Sequence, residues 1–448
     1  MTTEALLTTE APPPTEAPLP TEAPLPTEAP AAPIDPHAVD LTDPRTFHDV
    51  DTHALWRAFR EHSPVHWHPP TDRAPGFWVV SRYEDAVAVY RDNKRFTSEK
   101  GNVLATLLQG GDSAAGKMLA VTDGPRHRAI RNLMLKSFAP RVLQPVVDGV
   151  HRHTRDLITQ ALRSGTSGNP GEIDFAADVA DHVPIHTMGD LMAIPEADRP
   201  RLVAWNTQTL SRHASEDSEL DSLMARNEIL LYLGGLAAQR RKDPGDDVIS
   251  VLATATVDGR PLTEDEIVLN CYSLILGGDE STRMSLVGGL IALAEHPEQW
   301  RRLKAGEAGV DTVTEEILRW TTPAMHFGRR ALTDVELRGR TIKAGDVVTL
   351  WNSSANFDES VFPDPYAFDV GRSPNKHVVF GHGPHFCLGA FLGRVHVGAM
   401  VEALRDLVAT VELRGPAQRL YSNFVNGYSG LPVALTAEAA PEEAPRHA

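Results

Sequence analysis

The sequence is poor in cysteine, in long apolar runs and in positive charge, and each shortage excludes a class of protein. Cys271 and Cys387 are the only cysteines among 448 residues, too few for a disulfide framework and compatible with a reducing cytosol. No apolar run is as long as a membrane span, and no basic-then-apolar signal sequence is present, so we expect a soluble, cytoplasmic protein. Lys and Arg total 43 against 60 Asp and Glu, a net charge of −17, which argues against nucleic acid as the main partner.

The two ends of the chain differ in composition from the rest. Residues 1–34 are dominated by Pro, Thr, Glu and Ala, and Pro-Thr-Glu-Ala-Pro-Leu recurs imperfectly within them. Proline at this density blocks helix and sheet and leaves little to bury, which predicts a disordered acidic tail. Residues 437–448 look similarly loose. We therefore expect residues 35–436 to form the folded domain.

A glycine-rich loop surrounds the second cysteine. The string Phe-Gly-His-Gly-Pro-His-Phe-Cys-Leu-Gly occupies residues 380–389, and an apolar pattern of helical spacing follows it. The pattern predicts a helix that begins at Cys387, where unpaired backbone N–H groups and the helix dipole favour the thiolate. Such a thiolate is a metal ligand or a nucleophile; the alternative is a buried structural cysteine.

The whole string resembles the haem-ligand loop of the cytochromes P450, in which a cysteine thiolate binds the haem iron. The resemblance implies that Cys387 is the iron ligand and that Phe380 lies against the thiolate side of the porphyrin. It also implies that His385 binds a propionate and that Gly389 permits close approach to the cofactor. It covers essentially residues 35–436 and implies the P450 fold, a trigonal prism that is mainly α with a smaller β-rich part and a long central helix over the haem.

A second basic motif lies in residues 123–131, Asp-Gly-Pro-Arg-His-Arg-Ala-Ile-Arg. Asp123 and Pro125 predict a helix start, and His127 and Arg131 lie four residues apart on one helical face that suits an anionic group. Two basic residues on a helix usually mark only a solvated face. The segment resembles the family's Asp-x-Pro-x-His-x-x-x-Arg motif, which implies that His127 and Arg131 bind haem propionates. Arg329 aligns with a further propionate ligand of the family.

A long apolar segment from Thr263 to about Glu295 predicts a buried helix, and Thr263 with Glu266 forms a capping box at its start. Its centre contains Gly-Gly-Asp-Glu-Ser-Thr, residues 277–282, which disfavours a regular helix. The glycines and hydroxyl groups predict a bend or bulge, and Ser281 can donate to the carbonyl of Gly277. Cys271, earlier in the segment, is expected to be a core residue.

The centre of this helix resembles the oxygen-activation motif of the P450 family. On that register Glu280 is the acid and Ser281 takes the position usually filled by threonine. The chemistry requires a proton to reach the oxygen atom that leaves as water, through a hydroxyl that orders water and a carboxylate that supplies protons. Serine lacks the methyl group that fixes the threonine rotamer, so Thr282 is a second candidate for this task. Asp279 is interpreted as a paired or pocket-lining acid.

Glu316 and Arg319 form a Glu-x-x-Arg motif whose side chains can pair on one helical face, and in the P450 family this motif is a buried ion pair. The motif is common and weak by itself. In the P450 family it is joined by an arginine from a later irregular segment, and residues 356–372 resemble that segment, with Phe357 in place of the usual arginine. The resemblance implies a structural role for Glu316, Arg319 and Arg372.

The substrate pocket is predicted from the same resemblance. The long loop Gly101–Leu119 would cap it, and the turn at Phe424–Tyr428 would reach into it. His326 is either a polar group of the pocket or a hydrogen-bonded wall. The residues expected to line the pocket are Leu274, Gly277, Gly278, Ala324, Met325, His326, Val425 and Asn426.

Together these features imply a monomeric monooxygenase with haem b that inserts one atom of O2 into a mostly apolar small molecule, in a step of secondary metabolism. Electrons would come from NAD(P)H through a ferredoxin reductase and a ferredoxin, with Arg126, Arg128 and Lys136 as a positive docking patch. The substrate would arrive free or tethered to a carrier protein. Two alternatives remain open: a haem-thiolate enzyme of different outcome, such as a peroxygenase or an oxidative coupling enzyme, and a non-catalytic haem protein that binds a ligand.

Overall fold

The computed structural model describes residues 34–72, 74–166, 169–209 and 216–439. Most of these residues are in helices. The α-helices are α1 (Pro44–Asp49), α2 (Thr52–His62), α3 (Tyr83–Arg91), α4 (Leu104–Leu108), α5 (Gly124–Ser137), α6 (Pro140–Arg163), α7 (Val183–Leu191), α8 (Arg199–Thr209), α9 (Glu216–Lys242), α10 (Val248–Ala253), α11 (Glu264–Glu295), α12 (Pro297–Lys304), α13 (Val310–Thr321), α14 (Asn352–Ala355) and α15 (Ala390–Leu407). The predicted tails lie outside the described residues, apart from 34 and 437–439.

The strands are short and grouped in several small sheets. They are β1 (Val65–His68), β2 (Phe77–Val80), β3 (Phe96–Thr97), β4 (Gly165–Thr166), β5 (Asn169–Pro170), β6 (Glu172–Asp174), β7 (Thr256–Val257), β8 (Arg260–Pro261), β9 (His326–Ala331), β10 (Val335–Leu337), β11 (Arg340–Ile342), β12 (Val347–Trp351), β13 (Val408–Leu413), β14 (Gln418–Arg419), β15 (Tyr428–Gly430) and β16 (Pro432–Ala437). The predicted fold class, mainly α with a smaller β-rich part, is confirmed. Among the described residues, no helix combines the length and apolarity needed to cross a membrane.

Helix α11 is the central element of the fold. Its capping box is formed as predicted, because Thr263 Oγ1 accepts from the Glu266 N–H at 3.3 Å and Glu266 Oε2 accepts from the Thr263 N–H at 2.7 Å. The helix runs for 32 residues and is uninterrupted at Gly277 and Gly278. The bulge predicted from these glycines is therefore not found in this helix, because packing against its neighbours outweighs the weak helix propensity of this segment.

Two apolar cores meet along this helix. Its first half, with Ile267 and Ile275 fully buried, packs with residues of α5, α7, α9 and α10. Its second half, with Leu286 and Leu290 fully buried, packs with α13, α15 and β16. Burial of each such side chain stabilises the fold by roughly 1.5–3 kcal/mol. Packing therefore fixes both halves of α11 and holds the segment between them.

The main sheet has the strand order β1-β2-β12-β9-β3, in which only β2 and β12 are parallel. It places Arg329 of β9 opposite Val348 of β12. The hairpin that precedes β12 is a separate two-stranded sheet. Strand β10 pairs with β11 across a turn at Arg338 and Gly339, both at positive φ, and β12 pairs with β9 and β2 instead. The two positive φ angles match the twist of a two-residue hairpin, which is why the chain turns there.

The loop predicted for Gly101–Leu119 contains one short helix, α4. Leu104 and Leu107 are buried, and a Cβ atom at Gly328 of β9 would lie 2.4 Å from Leu107 Cδ1. A helix of five residues is too short to give a periodic pattern. Its packing against β9 holds it.

Candidate active site

Cys387 lies in a loop that backbone contacts fix in place. The N–H of Cys387 donates to the carbonyl of Phe380 at 2.9 Å. Gly381 and Gly383 have φ angles of 65° and 69°, in the left-handed region that glycine adopts without strain. The loop geometry therefore depends on its glycines and its backbone rather than on the cysteine side chain.

Helix α15 begins at Ala390, so the predicted start at Cys387 is wrong. A 3₁₀ turn at Gly383–His385 redirects the chain and leaves the cysteine before the helical ladder. Burial raises the pKa of the Cys387 thiol, and the N–H of Gly389 and the charges of Arg131 and Arg394 lower it without reversing the shift. The loop by itself therefore does not favour the thiolate form of Cys387. A metal cation at the sulfur would supply what is missing, because a coordinating thiol loses its proton.

Gly383→Ala is expected to damage this loop. A Cβ atom there would lie 2.4 Å from the Tyr90 carbonyl oxygen, and the left-handed conformation adds about 1–2 kcal/mol of strain. We expect a lower thermal unfolding midpoint and reduced haem retention. Gly309→Ala is the matched control, because its φ is −73° and its Cβ position is open. Equal midpoints and haem contents for the two variants would contradict the prediction.

Helix α5, strand β9 and the cysteine loop bring together the four predicted propionate ligands. The ring centroids of His127 and His385 are 4.3 Å apart. The charge of Arg131 lowers the pKa of His127 and also acts on the thiol of Cys387. Arg329 has its guanidinium 5.4 Å from the ring centroid of Tyr90, on the helix against which the loop packs. The four basic groups thus surround one region beside the cysteine.

Several of these groups lack partners. His127 is 3% exposed, and its Nε2 atom has no hydrogen-bond partner. Arg329 is 5% exposed and donates to the neighbouring Gly328 carbonyl at 2.7 Å. In the part of the chain that the structure describes, no acid pairs with Arg329 or Arg131. Burial lowers the pKa of both arginines and, more than the nearby positive charges, lowers that of His127 to about 4. Buried donors of this kind cost free energy unless an acceptor reaches them, so the residues fit the carboxylates of a haem.

His385 already has one partner, Asp123. The Nε2 atom of His385 is 2.7 Å from Asp123 Oδ1, and Oδ2 accepts from Thr97 Oγ1 at 2.6 Å and from the Ser98 N–H at 2.8 Å. Burial alone would raise the pKa of Asp123, but these hydrogen bonds hold it well below its usual range. The sequence predicted only that a helix starts at Asp123. That start is confirmed, although the Asp123 side chain does not cap α5. Its link to a residue 262 positions away has no local signal.

Gly277 and Ser281 border an open space on the central helix. Nothing lies within 4 Å of the Cβ position of Gly277, and Leu276 beside it is 44% exposed although most of the helix is buried. Ser281 Oγ donates to the Gly277 carbonyl at 2.9 Å, which confirms the predicted hydrogen bond. Apolar surface of this kind inside a fold fits an apolar ligand.

The three neighbours of Ser281 in the motif have different surroundings. Glu280 is half-buried. Thr282 is buried and lies about 100° around the helix from Ser281, so its hydroxyl is not beside Gly277. Asp279 is buried and accepts a hydrogen bond from Asn206 of α8 at 2.5 Å. The structure therefore places Ser281 beside the open space and leaves Glu280 half-buried on the neighbouring face of the helix.

Glu316 is the centre of the predicted ion-pair network. Glu316 and Arg319 have fully buried side chains and form a bidentate pair with N–O distances of 2.8 Å. Arg372 Nε lies 3.1 Å from Glu316 Oε2, and Asn375 Nδ2 donates to the same oxygen at 3.0 Å. The guanidinium of Arg319 lies 4.9 Å from the ring centroid of Phe357. The network is confirmed, and Asn375 is a member that the motif could not reveal.

The predicted pocket residues do not share one surface. Gly277 borders the open space and Leu274 is half-buried on the same helix, whereas Gly278 packs so closely that a Cβ atom would lie 3.0 Å from Met188 of α7. Met325 and Asn426 line another cavity, of about 300 Å³, whose walls contain no residue of the cysteine loop or of 277–282. Contact of these residues with substrate stays a prediction.

His326 and the tip of the β14–β15 hairpin pack together. Ala324 forms a β-bridge with Val425. The ring of His326 lies 4.4 Å from that of Trp351 and 5.4 Å from that of Phe424, and neither ring nitrogen has a hydrogen-bond partner. The expected hydrogen-bonded wall is therefore wrong. Because side chains alternate along β9, His326 also faces away from the side of Arg329.

The predicted positive patch is smaller than expected. Arg126 forms ion pairs with Asp258 and Glu266 and is committed to the fold. Arg128 and Lys136 are exposed on α5. Any docking of an acidic partner on this helix would rest on those two residues.

This arrangement is that of a haem-thiolate protein, and comparison with known proteins identifies the family. Residues 310–404 match the family model described as Cytochrome P450. The chain is 43% identical over 405 residues to Cytochrome P450 NovI of Streptomyces niveus, covering 90% of this chain and 98% of that protein. It is 32% identical to the Steroid C26-monooxygenase of Rhodococcus jostii, covering 89% of this chain and 84% of that one.

A solved structure agrees with these relatives. The crystal structure of P450 OxyD, described as involved in the biosynthesis of vancomycin-type antibiotics, superposes with a TM-score of 0.82 at 32% identity, covering 90% of this chain and 100% of that one. The chain belongs to the cytochrome P450 family and is a P450 monooxygenase. Membership implies haem, O2-dependent oxygenation, a small-molecule substrate and redox partners.

Proposed function

We propose that the protein is a haem b monooxygenase that hydroxylates or epoxidises a mostly apolar small molecule in a tailoring step of secondary metabolism. The observation that carries the proposal is the cluster of basic groups near Cys387, in which His127 Nε2 has no hydrogen-bond partner and Arg329 pairs with no acid among the described residues. The similarity to OxyD, which is described as involved in antibiotic biosynthesis and covers 90% of this chain, supports a biosynthetic role.

The residues of this chain would hold the cofactor from two directions. Cys387 would bind the iron through sulfur, with Phe380 against the thiolate side of the macrocycle and Gly389 leaving room for it. His127, Arg131 and Arg329 would pair with the propionates, together with the free Nδ1 atom of His385. When bound, the haem supplies an iron centre that activates O2 and transfers one oxygen atom to the substrate.

Ser281 and Glu280 would deliver protons. The Ser281 hydroxyl donates to the Gly277 carbonyl, which leaves its oxygen as an acceptor that can hold a water molecule over the open space. Glu280, one residue before it, would pass protons to that water from the outside. Thr282 is the weaker candidate, because it is buried on another face.

Ser281→Ala is expected to uncouple electron use from product formation. Without the hydroxyl the water loses its anchor, so peroxide release should rise, and product per NADPH should fall by about 10²-fold if this is the sole proton route. The measurement is the ratio of product and peroxide to NADPH consumed. Ser285→Ala is the matched control, since Ser285 Oγ makes the same type of bond to the Ser281 carbonyl at 2.9 Å one turn further along. Full coupling in Ser281→Ala would show that the alcohol is dispensable.

The substrate can be found from the spectrum of the haem. Candidate small molecules, both free and as thioesters on a carrier protein, are screened for a change from low to high spin. Free compounds that give the change support direct binding, and a change seen only with loaded carrier would assign a tethered substrate. A library that includes known natural-product scaffolds but yields no spin change and no product would argue for a non-catalytic ligand-binding protein.

We also propose a monomeric, cytoplasmic enzyme that takes electrons from NAD(P)H through a ferredoxin reductase and a ferredoxin. Exposed Arg128 and Lys136 support docking of an acidic partner. Serine at position 281 favours one alternative, a peroxygenase or coupling enzyme that needs no proton relay of the usual kind. Turnover with peroxide alone that exceeds turnover with the full electron chain would favour that alternative.

A further inference from the structure

Asp279 is a buried acid that takes no part in the proton delivery proposed for Glu280 and Ser281. It is 3% exposed and stands in α11 directly before Glu280 and Ser281. Its Oδ2 atom accepts from Nδ2 of Asn206, which is 6% exposed on α8, at 2.5 Å. Its Oδ1 atom has no hydrogen-bond partner. The pair is therefore a buried polar contact between α8 and α11.

The charges around Asp279 do not neutralise it. Arg283 lies one turn further along α11, but its Nε atom is 3.3 Å from Asp181 Oδ1 and its Nη1 atom donates to the Tyr428 carbonyl at 3.3 Å. Burial raises the pKa of Asp279 to about 7. The hydrogen bond from Asn206 and the charge of Arg283 oppose this shift, and Asp181 and Glu280 add to it. Arg283 thus interacts with both Asp181 and Asp279, and the Asp279 carboxyl group ionises only near neutral pH.

A buried acid with one hydrogen bond stabilises the fold less than an apolar contact of the same size would. What such a pair supplies is a single geometry, because the carboxyl group and the amide must meet and any rotation of either helix strands them. The fixed segment is the one that carries the proton-delivery residues, since Asp279 is adjacent to Glu280 in the chain.

We propose that Asp279 is a positioning residue: through Asn206 it fixes the rotation of α11 at Gly277–Thr282 against helix α8, and so sets where Glu280 and Ser281 point. The inference rests on the proposed monooxygenase function for its effect on catalysis. Its structural part, the attachment of α8, is independent of that function and is measured separately.

The first test compares four variants of the haem-loaded protein by hydrogen–deuterium exchange of the α8 amides and by product formed per NADPH. Asp279→Leu and Asn206→Leu are each expected to speed exchange in α8 about tenfold and to lower coupling with little change in KM. Asp279→Asn keeps an acceptor for Asn206 and is expected to retain both. The swapped double variant Asn206→Asp/Asp279→Asn rebuilds the pair and is expected to restore them.

Each result of this comparison decides the proposal. Exchange in α8 at the wild-type rate in both leucine variants would overturn it, as would a swapped variant that exchanges as fast as the leucine variants. If exchange of the α8 amides depends on the Asn206–Asp279 pair but neither the wild type nor any variant forms product, the attachment of α8 is supported and the proposed monooxygenase function is refuted.

The second test uses pH. The folded-state pKa of Asp279 lies above the value of about 3.9 in an unfolded chain, so the folded protein binds more protons between these values and loses stability as pH rises through them. Asp279→Asn lacks this loss. Its thermal midpoint relative to wild type is expected to rise from about pH 5 to about pH 8. A constant difference over that range would contradict the buried, titrating acid on which the proposal depends.

Discussion

Cys387→Ser is expected to lose oxygen insertion entirely while keeping the fold. The loop around Cys387 is closed by its backbone, through the Cys387 N–H to Phe380 carbonyl bond and the glycines at 381 and 383, so serine can occupy the position without moving it. An alcohol oxygen does not donate charge to iron as a thiolate does, and that donation favours cleavage of the O–O bond. The measurement is product formation per haem, together with the spectrum of the reduced carbonyl complex.

Cys271→Ala is the control for Cys387→Ser. Cys271 is a buried core residue of α11, and burial raises the pKa of its thiol to about 12, so it stays a neutral apolar side chain. We expect Cys271→Ala to keep activity and spectrum and to lose only a little stability. Oxygen insertion in Cys387→Ser at a rate near wild type would refute the assignment of the metal ligand.

Glu316→Ala is expected to yield little haem-loaded protein. It leaves the guanidinium groups of Arg319 and Arg372 in a fully buried site without their acid, and removal of one partner from such a pair costs about 3–5 kcal/mol. That is a large fraction of the stability of a typical domain. The measurement is the ratio of haem absorbance to protein, together with the thermal unfolding midpoint of the purified variant.

Glu307→Ala is the control for Glu316→Ala. Glu307 pairs with Arg301 at 3.3 Å on the surface, where an ion pair contributes about 0–1 kcal/mol. We expect normal haem content in that variant. Normal haem incorporation in Glu316→Ala as well would show that the network is not required for the fold.

Local sequence patterns predicted the features whose physics is local. The Glu316–Arg319 pair lies at helical spacing, the capping box of Thr263 and Glu266 is three residues long, and the bond from Ser281 to Gly277 spans one turn. All three are confirmed. These contacts need only the right helix, and the apolar periodicity supplied it.

Features that depend on distant parts of the chain were missed or wrong. The start of α15 was misplaced, because Leu388 fits the apolar pattern of the helix but belongs to the loop before Ala390. Asn206 and Asp279 are 73 positions apart, and their pairing has no signal in either segment. For His326 the sequence left a pocket group and a hydrogen-bonded wall open, and its packing against the rings of Trp351 and Phe424 has no local signal. Such contacts are set by packing, which a single sequence does not display.

The absorption spectrum of the reduced carbonyl complex of the purified protein tests the central claim most directly. A thiolate from Cys387 on the iron predicts a strongly red-shifted Soret band, which is lost in Cys387→Ser and unchanged in Cys271→Ala. A protein purified without haem, or a carbonyl complex whose Soret band lies where histidine-ligated haem absorbs, would contradict the account.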